Sequence, residues 1–225
     1  MKRVVVKLSG SLFSKGIKEL TEFATLFRTL LKKDIQAIVV TGGGEVARRY
    51  ISLARELGRD EATLDEMGIE ISRMNAELLI SALKQAAYPI VPKNLTETVT
   101  YAESGKVVVS GGLHPGQSTN ATSALMAEKL GAALFVNGTD VAGVYTKDPR
   151  KYPSAKIIKE ISPGDLLRII ESEKMSAGTY ELLDITSIKI IERSCIPTTV
   201  VLCSPETVKG AILGEKNGTS IVTKR

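Results

Sequence analysis

The 225 residues are 43% hydrophobic and 24% charged, enough for a large core or two fused lobes and too balanced for a disordered chain. The formal charge of +5 arises without a basic run longer than Lys32-Lys33 or Arg48-Arg49 and without interleaved aromatic residues, so no nucleic-acid partner is expected and small phosphorylated ligands account for the excess. No signal-peptide leader precedes the first apolar run, and the apolar stretches fall short of the ~20 residues of a membrane span, which predicts a cytoplasmic protein without a membrane partner.

In chain order, apolar runs at 3 to 8, 35 to 41, 88 to 92, 107 to 110, 133 to 137 and 197 to 203 are hydrophobic nearly throughout, the pattern of strands covered on both faces. Leu20, Phe23, Ala24, Phe27, Leu30 and Leu31 mark one face of a helix after the first run, and Ala47, Tyr50, Ile51, Ala54 and Leu57 mark a second after the next. Residues 60 to 85 predict a long helix or a broken pair. Its Leu64, Met67, Ile71, Met74 and Leu78 recur at steps of three and four, a seam suited to core packing and, as the lesser alternative, to a second subunit. A further helix is predicted from about 120 to 130, and Val141 to Pro149 reads as an irregular loop or hairpin with a proline stop. This alternation predicts an α/β fold, a three-layer αβα sandwich with a mostly parallel central sheet. Residues 1–225 read as a single domain whose two functional halves meet near residue 135. Cys195 and Cys203 have no metal-ligand spacing and read as small buried hydrophobes.

Three turns rich in glycine follow apolar runs, and two of them open directly into a helical pattern. They are Lys7-Leu8-Ser9-Gly10-Ser11, Gly42-Gly43-Gly44 and Gly111 to Thr119. Such a turn presents backbone N–H groups without side chains in the way, and a following helix adds its positive dipole end, so phosphate is attracted. Three on one sheet suit an enzyme that must hold two mutually repelling anions in line, the requirement of phosphoryl transfer. Lys7 ends an apolar strand and must reach the rim of the sheet or be paired. Either it is a snorkelling surface lysine or its ammonium lies between donor and acceptor phosphates. Arg48, one turn into the helix opened by Gly44, can fold back on the same anion with several donors, whereas Arg49 points elsewhere.

Gly42-x-Gly44-x-x-Ala47 also satisfies the dinucleotide fingerprint, but the required acidic partner should end the next strand, and Asp65 lies in a helical segment. In the third turn, Ser118 or Thr119 is either a helix N-cap or a ligand contact. His114 is the only histidine and has no visible acid partner, which favours a positional or stacking role over general-base catalysis. Asn137-Gly138-Thr139-Asp140, with Tyr145 and Asp148, place polar groups at a strand end near a ring on which a base can stack. The bland reading of Asp148-Pro149 is a turn.

Lys7-x-x-Gly10, Thr41-Gly-Gly-Gly44, Arg48, Asp65, the 111 to 119 loop, Asp140-x-x-Gly143-Val-Tyr145-x-x-Asp148-Pro149, Ser176-Ala-Gly-Thr179 and Leu183-Asp184 through Lys189 to Ser194 occur in this order. Over almost the whole chain they resemble the amino acid kinase family, in particular its archaeal branch acting on UMP. The resemblance implies transfer of the γ-phosphoryl group of ATP to UMP in pyrimidine nucleotide biosynthesis, with UMP held by residues 1–135, MgATP by 136–225, and a homohexameric assembly. It places Gly43, Asp65, Leu113, His114, Pro115, Gly116, Gln117, Ser118 and Thr119 on UMP, with Asp65 toward the ribose hydroxyls. Lys7, Gly10, Ser11, Gly44 and Arg48 would serve the ATP phosphates and the transfer, Lys7 and Arg48 as catalytic residues, while Thr139, Tyr145 and Asp148 would hold the adenosine. Asn120 stands where bacterial members carry an aspartate and receives no metal role, and the Mg²⁺ ligands are not assigned. Asp184 and Lys189 fit the archaeal pattern but equally suit a solvated helix pair. Acetylglutamate, carbamate and isopentenyl phosphate kinases share the scaffold, and a nucleotide-binding protein without turnover is the alternative of a different class.

Overall fold

Val4, Val5 and Val6 have no solvent exposure because their strand, β1 (Lys2–Leu8), lies in the middle of a seven-stranded sheet with helices on both faces. The computed structural model describes residues 1–174 and 182–223, so the expectation placed on Ser176 to Thr179 lies outside them. The other strands are β2 (Ile35–Thr41), β3 (Val108–Ser110), β4 (Leu134–Thr139), β5 (Glu160–Ile161), β6 (Thr198–Leu202) and β7 (Thr219–Ile221). Their spatial order is β3-β2-β1-β4-β6-β7-β5, parallel except for the β6–β7 pair. The chain steps outward from β1 through β2 to β3 and then returns to place β4 on the other side of β1. That reversal opens a crevice at the carboxyl ends of β1 and β4, where Lys7 pairs in register with Asn137.

Alternate residues of the central strands feed two cores. Val4, Val6, Val39, Val136 and Val201 pack under α1 (Ile17–Leu31), α3 (Glu61–Leu83) and α8 (Pro205–Leu213), where Phe23, Phe27, Leu79, Leu83 and Val208 are buried. Val5, Ile38, Val40, Phe135 and Val200 pack under α5 (Thr119–Lys129), α6 (Pro163–Lys174) and α7 (Ile185–Ser194), through Met126, Leu166, Ile188 and Ile191. Each fully buried side chain of this size contributes about 1.5–3 kcal/mol, which is why the runs are apolar without alternation. The remaining helices are α2 (Gly44–Glu56) and α4 (Leu95–Ala102). No helix among the described residues is long and apolar enough to cross a membrane.

Four expectations need correction. The face marked on α2 is only partly inward: Ala47 and Ala54 are buried, whereas Tyr50 and Leu57 are 54% and 84% exposed. Residues 88 to 92 are not a strand. Pro89 and Pro92 cannot donate to a ladder, and pairing is confined to a single bridge between Ala87 and Val107. The seam on α3 is not a core seam throughout: Leu64 is buried, but Met74 and Leu78 are 67% and 52% exposed, and the inward face is Leu64, Ile69, Ser72, Ala76, Leu79 and Leu83. Cys203 is buried as expected, whereas Cys195 is half-buried and ends α7 in the left-handed region with φ +50°.

Candidate active site

The three glycine turns lie side by side at the carboxyl ends of β1, β2 and β3. Turns one and two touch backbone to backbone: a Cβ on Gly10 would sit 2.1 Å from the Gly44 nitrogen, and one on Gly44 would sit 2.4 Å from the Gly10 carbonyl oxygen. The third turn packs equally closely on α3, where a Cβ on Gly111 would meet Ser72 Oγ at 2.5 Å. At Gly10, Gly44 and Gly111 the missing side chain is therefore first a packing requirement, a reason additional to the open N–H groups read from the sequence.

Gly43 has right-handed helical angles (φ −75°, ψ −26°) and Gly44 has φ +69°. Successive residues of opposite hand turn their N–H groups toward one point and form an anion-binding nest. The nest also opens α2, so the helix dipole adds positive potential. Arg48, one turn into that helix, is exposed, as is Arg49.

Helix α3 braces the second and third turns. Asn75 Nδ2 donates to the carbonyls of Gly42 (2.8 Å) and Gly43 (3.4 Å), and Thr41 Oγ1 donates to the Ser72 carbonyl (2.7 Å). Ser72 Oγ accepts from Gly112 N–H (2.7 Å), and Asp65 Oδ2 accepts from Gly116 N–H (2.7 Å). Leu113 is buried and Gln117 half-buried, while His114, Pro115, Gly116 and Ser118 are exposed. Ser118 caps α5, accepting from the Asn120 and Ala121 N–H groups, and donates to Asp184, whose other oxygen caps α7. Asp184 and Lys189 are thus not a pair; Lys189 bonds Glu192 instead.

Lys7 closes the crevice from β1. A small cleft of about 70 Å³ is lined by Lys7, Ser9, Asp140, Arg150 and Leu182, among others. Asp140 Oδ1 accepts from Ser11 Oγ (2.6 Å) and Ser9 Oγ (2.7 Å). Partial burial opposes its ionisation, but those two hydroxyls and the cations of Lys7 and Lys15 hold the carboxyl below the ordinary aspartate value. Burial pushes the Lys7 ammonium below the ordinary lysine value, with Cys203 and Asp140 opposing. Burial also raises the Cys203 thiol, so Asp140 is the neighbour whose negative charge sustains the cation. Volume alone does not locate the site. A groove of about 950 Å³ runs along Ile158, Ile161, Pro163 and Ile169, away from the glycine turns.

On the far side of the crevice Thr139 is buried and its hydroxyl donates to the Val141 carbonyl (2.9 Å). Asp148 is also buried, its Oδ1 accepting from the backbone and Nε of Arg150 at 3.0 and 3.2 Å. Tyr145 is half-buried and bridges to Ile157, so the loop after β4 is a hairpin. Thr139 and Asp148 shape this hairpin, and the half-buried Tyr145 packs against the second core. Gln117 Oε1, Asn120 Oδ1 and Asn137 Oδ1 are buried without a hydrogen-bond partner, leaving free acceptor capacity in the third turn, at the start of α5 and at the end of β4.

Asp140, Ser72 and Asn75 acquire their positions only in the fold. Ser9 and Ser11 are 131 and 129 residues from Asp140. The available signal for Ser72 and Asn75 was polarity on the buried face of an amphipathic helix.

An anion nest, a strand-end lysine beside an ionised aspartate and a doubly covered sheet define a phosphoryl-transfer class of site. The chain belongs to the amino acid kinase family, whose sequence model it matches over residues 2–202. It is 42% identical to uridylate kinase of Methanobrevibacter smithii over 225 residues, 99% of this chain and 100% of that one. With uridylate kinase of Hyperthermus butylicus the identity is 45%, covering 97% of each. The crystal structure of uridylate kinase from Archaeoglobus fulgidus superposes with a TM-score of 0.89 at 42% identity, covering 99% of this chain and 100% of that chain. UMP kinase from Bacillus anthracis, at 23% identity and a TM-score of 0.81, shares the fold, with 100% of this chain and 97% of that one covered.

Proposed function

We propose that the chain is a UMP kinase that transfers the γ-phosphoryl group of ATP to UMP, giving UDP and ADP, as a cytoplasmic step of pyrimidine nucleotide synthesis. The observation that carries this reading is the Gly43–Gly44 nest in backbone contact with the Gly10 turn beside Lys7. Two phosphate cradles that touch bring two phosphates to reacting distance. Full-length similarity to uridylate kinases supports UMP as the acceptor.

UMP lies on the half formed by residues 1–135, its phosphate on Gly43, its ribose at Asp65 and its base under Leu113 to Thr119, including His114, Pro115, Gly116, Gln117 and Ser118. ATP lies on residues 136–225, its adenosine against Tyr145 and the hairpin shaped by Thr139 and Asp148. Its phosphates reach Gly10, Ser11, Gly44 and Arg48. Lys7 and Arg48 neutralise the charge that spreads over the transferred group, and no general base is required.

The residues present fit Mg²⁺. Asp140 and the unpartnered Asn137 Oδ1 are hard oxygen donors at the crevice, and Mg²⁺ usually takes one or two protein oxygens with substrate phosphates supplying the rest. Among the described residues no cluster of three metal-binding side chains exists, in keeping with a metal that arrives with the nucleotide. Bound there, Mg²⁺ neutralises charge on the donor phosphates.

Coupled ADP release over UMP, CMP, dUMP, acetylglutamate and carbamate tests the assignment. UMP is expected to give the highest kcat/KM, and turnover with another acceptor but not with UMP overturns it. Asp65→Ala removes the ribose partner and the anchor of Gly116, so KM for UMP is expected to rise at least about tenfold, on the scale of a lost charged hydrogen bond. An unchanged KM relocates the acceptor pocket. Asp140→Asn removes the charge that sustains the Lys7 ammonium. Lys7 then loses its proton at lower pH, and the alkaline limb of the kcat profile moves down; a limb that stays in place separates Asp140 from Lys7.

The exposed face of Val46, Tyr50, Leu53, Met74 and Leu78 across α2 and α3 suits burial against a second copy, as the building block of a homohexamer. Light scattering at micromolar concentration is expected to report an oligomer, and a monomer counts against this face.

A further inference from the structure

Asn75 is a polar side chain with 7% exposure on the buried face of α3, directly behind the second glycine turn. Its Nδ2 donates to two successive carbonyls, those of Gly42 and Gly43, at 2.8 and 3.4 Å. In a trans peptide the C=O of one residue and the N–H of the next point in opposite directions. Drawing the Gly42 carbonyl toward α3 therefore turns the Gly43 N–H away from it, and drawing the Gly43 carbonyl turns the Gly44 N–H away as well. These are N–H groups of the nest.

We propose that Asn75 is a positioning residue for phosphoryl transfer: its carboxamide fixes the orientation of the Gly42–Gly43 and Gly43–Gly44 peptides so that the Gly43 N–H faces the acceptor phosphate and the Gly44 N–H faces the donor phosphates. This inference rests on the kinase reading of the same turn. No other side chain donates to the Gly42 carbonyl among the bonds of the described residues, and the Gly43 carbonyl otherwise receives only the long 3.4 Å bond from Ala47 N–H. Gly43 and Gly44 have no side chains to resist rotation, so the brace has to come from outside the turn. When phosphate accepts from the N–H side of such a peptide, the carbonyl on its other side becomes a better acceptor. Ligand and brace thus strengthen each other through two peptide groups.

Asn75→Leu keeps the volume and cannot donate; Asn75→Asp keeps the shape and, when ionised, repels both carbonyls. A merely structural role lowers the folded fraction and so the apparent kcat, leaving KM unchanged. The positioning role raises KM for UMP about tenfold or more in both variants, since the nest is misaimed in every folded molecule. Lowering the pH from about 8 to about 6 protonates the buried carboxylate introduced by Asn75→Asp, because burial raises a carboxyl pKa. The protonated group regains one donor, and the KM of that variant returns toward the wild-type value. In the unaltered protein, UMP binding moves the Asn75 side-chain amide proton resonance downfield, a readout that does not depend on either variant folding. An unchanged KM in a folded variant, or an Asn75 resonance indifferent to UMP, overturns the proposal. If UMP is no substrate but another acceptor in the panel is, the same measurements are made with that acceptor, so failure of the kinase assignment and failure of the brace are seen separately.

Discussion

Lys7→Met is expected to lower kcat at least about a hundredfold, the usual scale for lost electrostatic stabilisation of a transition state, while the melting temperature stays level or rises. The two outcomes have one cause. Burial places the folded-state value of Lys7 below the ordinary 10.5 of the unfolded chain. Between those values the unfolded chain binds more protons, so the buried ammonium costs stability at neutral pH, and that cost fades as pH rises toward the unfolded value. Methionine occupies similar space without a charge to desolvate, and Asp140 retains the Ser9 and Ser11 hydroxyls as partners. Steady-state kinetics and a thermal melt check both halves. Near-normal turnover removes Lys7 from the mechanism, and a much lower melting temperature shows that the cation serves the fold.

Gly10→Ala is expected to have the largest effect on stability among single-methyl additions near the site. Its Cβ would lie 2.1 Å from the Gly44 nitrogen and 2.4 Å from the Gly44 Cα, both backbone atoms that cannot swing aside. The cost sits at the upper end of overpacking, about 3 kcal/mol, which for a chain of this length lowers Tm by about 6–12 °C. Because the displaced atoms belong to the nest, KM for UMP should rise together with the loss of stability. Gly164→Ala is the control: nothing lies nearer than 4.0 Å, and the position is in the first turn of α6. It should be neutral or slightly stabilising. A Gly10→Ala protein that melts with the parent would mean that the first two turns are not in backbone contact.

Long apolar runs and long amphipathic periods are legible in the sequence, which is why β1, β2 and α1 fall where the pattern places them; α2 does so in extent but not in face, since Tyr50 and Leu57 point to solvent. The run at 88 to 92 is as apolar as a strand, but its two prolines break the ladder and Ile90 is 53% exposed. β5 and β7 have two and three residues, Glu160-Ile161 and Thr219-Ser220-Ile221, too few to show any period. Helix α4 is rich in Thr and Val and reads poorly by propensity, yet it carried a cap signal: Asn94 accepts from Glu97 N–H, and Glu97 accepts from Lys93 N–H, each at 2.8 Å. At the site, glycines and Lys7 announce themselves because strand-end glycine turns have few other uses. The braces Ser72 and Asn75 do not, since a buried serine or asparagine shows its purpose only with its partner in view, and Asp140, legible as a strand-end polar group, reveals its bonds to Ser9 and Ser11 only in the fold.

The central claim is that amides of touching glycine turns, with Lys7 beside them, align two phosphates for in-line transfer. A crystal structure with UMP, Mg²⁺ and a non-hydrolysable ATP analogue tests it most directly. The expected result places the UMP phosphate within hydrogen-bond distance, about 2.7–3.2 Å, of the Gly43 N–H and an ATP phosphate within the same distance of the Gly44 N–H, with Lys7 Nζ reaching the γ-phosphate in line with the acceptor. Both nucleotides bound with those N–H groups turned to solvent and Lys7 apart from either phosphate would contradict it.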